Sequence, residues 1–171
     1  MTYLVPEKIA TERLILRTFQ EQDWRDLFVL YSDAEATKYT LRRVLNEDDT
    51  WRTMAGFIGH WQLRGYGPYA VEEKASGTVL GNIGLWYPHA WPEPEIMWSL
   101  ARPFWGKGFA REAARAVKQM AHQTLPDIRF ISLIDKNNIR SKKLAETLGA
   151  KFEREILFKE HRAYVYRHEN N

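Results

Sequence analysis

Two glycines and a lysine stand together at Gly106-Lys107-Gly108, between the bulky run Arg102 to Trp105 and the alanine-rich AREAARA. Glycine is costly to order, so a pair at the mouth of a helix asks for a chemical reason. A helix N-terminus carries unpaired N–H groups and the positive end of the helix dipole, and anions bind there readily. Without a Cβ, Gly106 and Gly108 let the main chain approach a phosphate, and Lys107 adds a point charge. Such effects contribute only about 0.3–1 kcal/mol each when exposed, so several amides must converge to hold a diphosphate. The competing reading is a plain strand-to-helix turn in which glycine merely permits the geometry. A P-loop is excluded, because Gly106-Lys107 is not followed by Ser or Thr. A dinucleotide fingerprint fits poorly: Gly106-x-Gly108 opens a helix and Asp135 closes the next strand, but Arg111 stands where a third glycine belongs.

A second constellation is Asn138 with Ser141. Three residues apart, they share one face of a helix's first turn. Asn is also a common N-cap, so capping and ligand binding both remain open for this pair. The five histidines, 60, 89, 122, 161 and 168, have no metal-ligand spacing, and no HExxH or GxSxG occurs. No metal is expected.

These groups need elements to position them. Residues 10–19 read as a strand with Leu14 and Leu16 on one face. Residues 21–31 read as an amphipathic helix through Trp24, Leu27, Phe28 and Tyr31. Residues 33–45 look irregular. Asn46 caps a second helix running to about Leu63, which Gly65-Tyr66-Gly67-Pro68 ends. A hairpin is predicted at 69–74 and 78–87, then a Pro-punctuated loop, then a strand over 95–101. A helix from Gly106 to about His122 carries the small-residue stripe Ala110, Ala113, Ala114, Val117 and Ala121. A strand over 128–134, a helix over 138–148 stopped by Gly149, and strands over 151–158 and 161–167 complete the chain. The strands 95–101 and 128–134 each lead into a helix, and both helix starts would open on the same side of the sheet.

The 171 residues suit one domain, with 44% hydrophobic and 27% charged residues marking a globular chain. The net charge of +3 suits an anionic ligand, but the positive residues are spread out and do not argue for nucleic acid. Cysteine is absent, which excludes disulfides, thiolate zinc sites and a cysteine nucleophile. No apolar run approaches membrane-spanning length, and MTYLVPEKIATERL lacks a signal-peptide apolar region, so no membrane partner and a cytoplasmic location are expected.

Over nearly its whole length the chain resembles the GNAT superfamily of N-acetyltransferases, and most closely its branch of ribosomal-protein N-terminal acetyltransferases. TERLILR is similar to the family's first strand and EIMWSL to its fourth. PFWGKGFAREAARA resembles the acetyl-CoA pyrophosphate loop and its helix, and NNIRSKKLAETLGAKFE the segment that touches the pantetheine arm. The resemblance implies one α/β (α+β) domain over 1–171, its core at about 10–168. It would hold a central mixed, largely antiparallel twisted sheet of about seven strands flanked by about four helices. It implies acetyl-CoA as cosubstrate, held by the loop residues Trp105, Gly106, Lys107, Gly108, Phe109, Ala110 and Arg111, with Asn138 and Ser141 along the arm. Splaying near the end of the fourth strand would free the main chain of Trp98, Ser99 and Leu100 for pantetheine. Two positions depart from the family pattern. Trp105 stands where Gln or Arg is usual and is expected to pack, leaving phosphate to the backbone. Ala145 stands where many relatives carry a tyrosine acid, so that acid is ruled out and Ser141 or water would serve.

The implied reaction is direct attack of an amine on the acetyl thioester. By comparison with cysteine the leaving thiolate has a pKa near about 8.5, and a hydrogen bond from Ser141 is adequate help. Neutralising an α-amine of pKa about 8 at pH 7 costs about 1.4 kcal/mol, and a lysine near 10.4 about 4.6 kcal/mol. Glu95, at the start of the fourth strand, is the expected base, directly or through water, with Glu93 as substitute and His89 a surface alternative. Trp86, Tyr87 and Trp91 flank the acceptor side as a wall or as packing aromatics. The acceptor would be a protein N-terminus or a small-molecule amine, and relatives often pair as homodimers. A non-catalytic acyl-CoA-binding or interaction module and a nucleotide-binding oxidoreductase are the competing functions.

Overall fold

Leu14 and Leu16, fully buried on β2 (Leu14–Arg17), belong to the first strand that reaches the core, with β1 (Lys8–Ala10) antiparallel beside it. The structure is a computed structural model and describes residues 2–169. The stretch 10–19, read from sequence as one strand, breaks at a turn. The Thr11 N–H donates to the Leu14 carbonyl at 2.9 Å, and the Leu14 N–H donates to Thr11 Oγ1 at 3.1 Å. Eight strands stand among the described residues where about seven were expected, the extra one being β1, whose Lys8 and Ile9 lie ahead of the stretch read as a strand.

A 3-10 turn at Glu21–Asp23 leads into α1 (Trp24–Tyr31), which buries Leu27, Leu30 and Tyr31. The segment expected to be irregular holds one short helix, α2 (Ala34–Thr37), started by Asp33, whose side chain accepts from the Glu35 N–H. α3 (Glu47–Arg64) begins at its predicted cap: Asn46 Oδ1 accepts the Asp49 N–H at 2.8 Å. The hairpin of β3 (Pro68–Glu73) and β4 (Val79–Trp86) follows, and β5 (Glu95–Leu100) pairs with β4 along its whole length. α4 (Phe109–Thr124), β6 (Ile131–Asp135), α5 (Ile139–Thr147), β7 (Lys151–Phe158) and β8 (His161–Arg167) complete the chain.

The sheet runs β1-β2-β3-β4-β5-β6-β8-β7, and every neighbouring pair is antiparallel except β5 with β6. Side chains alternate between sheet faces, so the consecutive residues Ala70 and Val71 on β3 enter two separate apolar clusters. One cluster packs Leu16, Val71 and Leu80 with Ala113, Ala114 and Val117 of α4. The other packs Ala70 and Val79 with Leu27, Leu30 and Phe57 of α1 and α3. The α4 stripe read from sequence is buried as expected at Ala113, Ala114, Val117 and Ala121, with Ala110 half-buried at the helix mouth. No helix among the described residues is long and apolar enough to cross a membrane.

Candidate active site

The one parallel pair is where the sheet opens. β5 and β6 share a single register pair, Glu95 with Ile131, and the strands diverge beyond it. The Ala101 N–H donates to the Leu80 carbonyl at 2.9 Å, so alternation turns the main chain of Ile96, Trp98 and Leu100 away from β4 and toward the opening. Ser132 Oγ donates to the Ile96 carbonyl at 2.7 Å, and Trp105 Nε1 donates to the Leu100 carbonyl at 2.7 Å. The Trp98 N–H and C=O lie between those two points and face the gap. Ser99 is a correction to the expected main-chain trio: its backbone pairs with β4 opposite Asn82, and its place at the opening is by side chain.

A 3-10 turn at Arg102–Phe104 leads from β5 to the glycine loop. Gly106 and Gly108 both take left-handed conformations, φ 73° and 82°, which residues with a Cβ adopt only with strain. The helix therefore starts at Phe109, later than the sequence pattern suggests, and its first internal bond runs from the Glu112 N–H to the Gly108 carbonyl at 3.0 Å. The amides before that bond have no helical partner. Side chains cap α2, α3 and α5, whereas Gly108, the N-cap of α4, has none to offer. A cavity of about 370 Å³ opens here, bordered by Gly106, Gly108, Ala110 and Arg111. Three cations, Lys38, Arg111 and Arg140, line it against the single carboxylate of Glu35. Lys107 does not add its charge to that lining: its side chain is exposed, with Nζ 5.8 Å from the Phe104 ring centre. Phe109 buries its side chain in the core and contributes main chain only. Trp105 packs as expected, and the Arg140 guanidinium sits 3.7 Å from its ring centre.

Sequence reasoning missed the residue that holds this loop. Arg13 Nη1 donates to the Lys107 carbonyl at 2.9 Å, while its guanidinium lies 4.3 Å from the Phe109 ring centre. Arg13 Nε donates to Glu112 Oε2 at 2.7 Å, and Glu112 Oε1 also accepts from Thr11 Oγ1 at 2.6 Å. The turn between β1 and β2 thus grips both the loop and the first turn of α4. Only the fold brings these positions together, so no local pattern could reveal them.

At the mouth of α5, Asn138 Oδ1 accepts the Ser141 N–H at 3.2 Å, so Asn138 does cap the helix. It also lines the opening, and capping and site position coincide. Ser141 Oγ accepts from Trp98 Nε1 at 3.2 Å. With that lone pair occupied, the hydroxyl proton is left to point elsewhere.

Across the opening, Glu95 is buried, with 7% of its surface exposed. Burial raises its pKa to about 7. The Leu133 N–H at 3.0 Å and the Trp91 indole at 2.6 Å oppose that shift only in part. Glu93 is a different carboxylate. Hydrogen bonds from Arg167 and Arg154 hold its pKa down to about 2 against burial. It is therefore corrected from substitute base to ion-pair anchor of the 88–94 loop. His89 is exposed on that loop and does not line the opening. Trp86 and Trp91 do line it, whereas Tyr87 packs against the main core under the Arg64 guanidinium. Among the described residues no group of three or more His, Asp or Glu is placed to hold a metal ion.

A second cavity, about 770 Å³, reaches the opening from the Glu95 side. The two cavities share Tyr39, Thr40, Trp98, Ser99, Asn138 and Ser141. One side of this junction ends at uncapped amides and cations, the other at a buried carboxylate that titrates near neutrality. A group held by its anion on the first side would present its far end to whatever lies beside Glu95.

A sequence profile described as the acetyltransferase (GNAT) domain matches residues 13–151. An uncharacterized N-acetyltransferase of Bacillus licheniformis, p20, is 29% identical over 157 residues, covering 91% of this chain and 87% of its own length. The crystal structure of an acetyltransferase from Agrobacterium tumefaciens superposes with TM-score 0.85 at 25% identity, covering 99% of this chain and 97% of that one. RimL, described as a ribosomal L7/L12 α-N-protein acetyltransferase and solved with coenzyme A, shares the fold with TM-score 0.74 at 21% identity. That match covers 95% of this chain and 97% of RimL.

Proposed function

The chain belongs to the acetyltransferase (GNAT) family, whose chemistry is acetyl transfer from acetyl-CoA, and from that premise we propose that it acetylates a primary amine by direct attack within a ternary complex. The observation that carries this reading is the junction of the two cavities at Trp98, Asn138 and Ser141, with Glu95 beyond it.

The residues present fit acetyl-CoA. The glycine loop offers a basic, uncapped helix start for a diphosphate, and the gap after Glu95 exposes strand main chain to an extended amide-bearing arm. When bound, acetyl-CoA supplies an acetyl group already activated as a thioester. The amides from Gly106 to Arg111, with Arg111 and Arg140, hold the anionic end. The Trp98 main chain and Asn138 orient the arm. Glu95 removes a proton from the incoming ammonium, directly or through one water. A carboxyl that titrates near 7 suits this task, because a substantial fraction is ionised at neutral pH and is still basic. Ser141, its oxygen already accepting from Trp98, turns its proton to the departing sulfur.

The test is ligand-dependent stability followed by turnover. Acetyl-CoA at 100 times its Kd should stabilise the fold by about 2.7 kcal/mol while NAD does nothing. Release of free thiol must then depend on added amine. Binding without thiol release would leave a silent acyl-CoA-binding module instead, and stabilisation by NAD alone would favour the oxidoreductase.

A further inference from the structure

The larger cavity has a chemical character of its own. Four rings from separate segments form one edge-to-face chain along it. Phe57 of α3 lies 5.4 Å from Trp86, Trp86 lies 6.1 Å from Trp91, and Trp91 lies 4.9 Å from Phe158 at the end of β7. His60 stacks behind Trp86 at 4.6 Å and fixes that ring. Its own nitrogens are both engaged, by the Tyr66 carbonyl at 2.8 Å and the Tyr87 N–H at 2.9 Å. Trp86, Trp91 and Phe158 are only half-buried, although they sit in an ordered, interlocked wall. Rings held with part of their surface open to a cavity are built for an apolar or aromatic guest.

The charges around the cavity exclude another guest. Its carboxylates are Glu95 and Asp135. Asp135 is paired with Arg42 and also accepts the Asn137 N–H at 2.8 Å, so it has little left for an ammonium. Both oxygens of Glu95 hold donors, and its remaining capacity serves the reacting amine. Facing them are Lys159, its Nζ 4.5 Å from the Trp91 ring centre, and Arg42, whose charge Asp135 already balances. A second positive charge on the acceptor would lie beside the Lys159 ammonium with no free carboxylate to meet it. Arg42, Lys159 and Glu160 are the non-glycine residues with left-handed backbone among the described residues, at φ 59°, 47° and 66°. Lys159 and Glu160 form the two-residue turn between β7 and β8, where positive φ at both positions suits the strand twist, and that turn sets Lys159 at the cavity rim.

We infer that the acceptor is a primary monoamine with an aromatic or apolar body, and not a polyamine or aminoglycoside. This rests on the acetyltransferase reading and specifies its acceptor. The aromatic wall holds the body while the amine reaches the junction beside Glu95. Burial there disfavours the ammonium form and eases loss of its proton. The ammonium gives one proton to Glu95, the freed lone pair forms the C–N bond to the acetyl carbon, and the C–S bond breaks as the departing thiolate takes the second amine proton, relayed through Ser141.

Two measurements on the whole protein test this. Calorimetry on the CoA-loaded protein compares binding of phenethylamine, tryptamine, spermidine and kanamycin, and thiol release gives kcat/KM for each and for a neutral peptide beginning with serine. The expected result is binding and turnover of phenethylamine or tryptamine at least about tenfold better than of spermidine, kanamycin or the peptide. Equal or better use of a polycation, or clear preference for the peptide, overturns the inference while leaving acetyl transfer intact. Preferential binding of the aromatic amines without any turnover supports the cavity's specificity and sinks the transfer reading. The exposed variant Lys159→Glu should shift the spermidine-to-phenethylamine ratio about tenfold toward spermidine. An unchanged ratio in a folded variant removes Lys159 and its charge from the argument and overturns the electrostatic exclusion.

Discussion

Trp98 Nε1 donates to Ser141 Oγ at 3.2 Å, joining β5 to the first turn of α5 across the sheet opening. The bond fixes which way the serine hydroxyl can give its own proton. Ser141→Ala should lower kcat while leaving acetyl-CoA affinity nearly intact. Trp98→Phe keeps a ring but loses the donor, and should lower kcat several-fold by freeing the hydroxyl to rotate. If Trp98 acts through Ser141, the double variant will be no slower than Ser141→Ala alone. Strictly additive losses would show that the indole has a separate role.

The ionisation of Glu95 should be visible both in rate and in stability. Its carboxyl titrates near about 7 in the fold, above the ordinary value of 4.5. Between those values the native state binds more protons than the unfolded chain, so this group makes stability fall as pH rises, and the loss levels off above pH 7. The full span corresponds to about 3 kcal/mol. Glu95→Gln should therefore gain on the wild type in denaturant melts as pH goes from 4 to 8. The new amide sets an NH2 group against one of the two donors that Glu95 accepts, which lowers the variant's stability equally at every pH and leaves that gain intact. Meanwhile kcat/KM should drop by about 10²–10³-fold and lose its rise through pH 7. A variant with a normal pH–rate profile would eliminate Glu95 as the base.

The grip of Arg13 on the glycine loop predicts a binding defect without a chemical one. Arg13→Ala removes the donor to the Lys107 carbonyl and the partner of Glu112. The KM for acetyl-CoA should rise about tenfold at nearly constant kcat with saturating cosubstrate, in line with an ordered loop that only binds. Gly108→Ala should do the same by another route, since φ 82° strains any Cβ and that atom would sit 3.3 Å from Arg13 Nη2. Unchanged KM in both variants would mean the loop does not hold the anion.

Local chemistry made much of this fold legible, and its failures have local causes too. Asn46 and Asn138 cap the helices that their sequence context suggests, and the last two strands fall at the expected 151–158 and 161–167. The start of α4 was misplaced because apolar periodicity says nothing of the two left-handed glycines that delay it. β6 begins at Ile131 and not at 128, since the Ile128 N–H turns back to the Leu125 carbonyl. Sequence position ranks Glu95 above Glu93 as the base but gives no physical reason for the ranking. What separates them is Arg154 and Arg167, 61 and 74 residues further on, for Glu93, and burial beside β6, whose Leu133 lies 38 residues on, for Glu95.

That separation can be put to an experiment. Glu93 accepts from Arg167 Nη1 at 2.7 Å and from Arg154 Nη2 at 2.9 Å, and so ties the 88–94 loop to β7 and β8. Its lowered pKa means that it contributes stability above its ordinary value of 4.5, a contribution lost as pH falls toward about 2. Because the carboxylate is partly solvated, Glu93→Gln should cost only about 1 kcal/mol at pH 7, and the deficit should shrink on acidification. Arg167 keeps Glu153 at 2.6 Å in the variant, so the fold survives. The ionisation expected in kcat/KM near pH 7 should be untouched, since Glu95 and its Trp91 donor remain. If Glu93→Gln instead abolished that ionisation while melting normally, Glu93 would be the base, and the buried carboxylate on β5 would be a structural group.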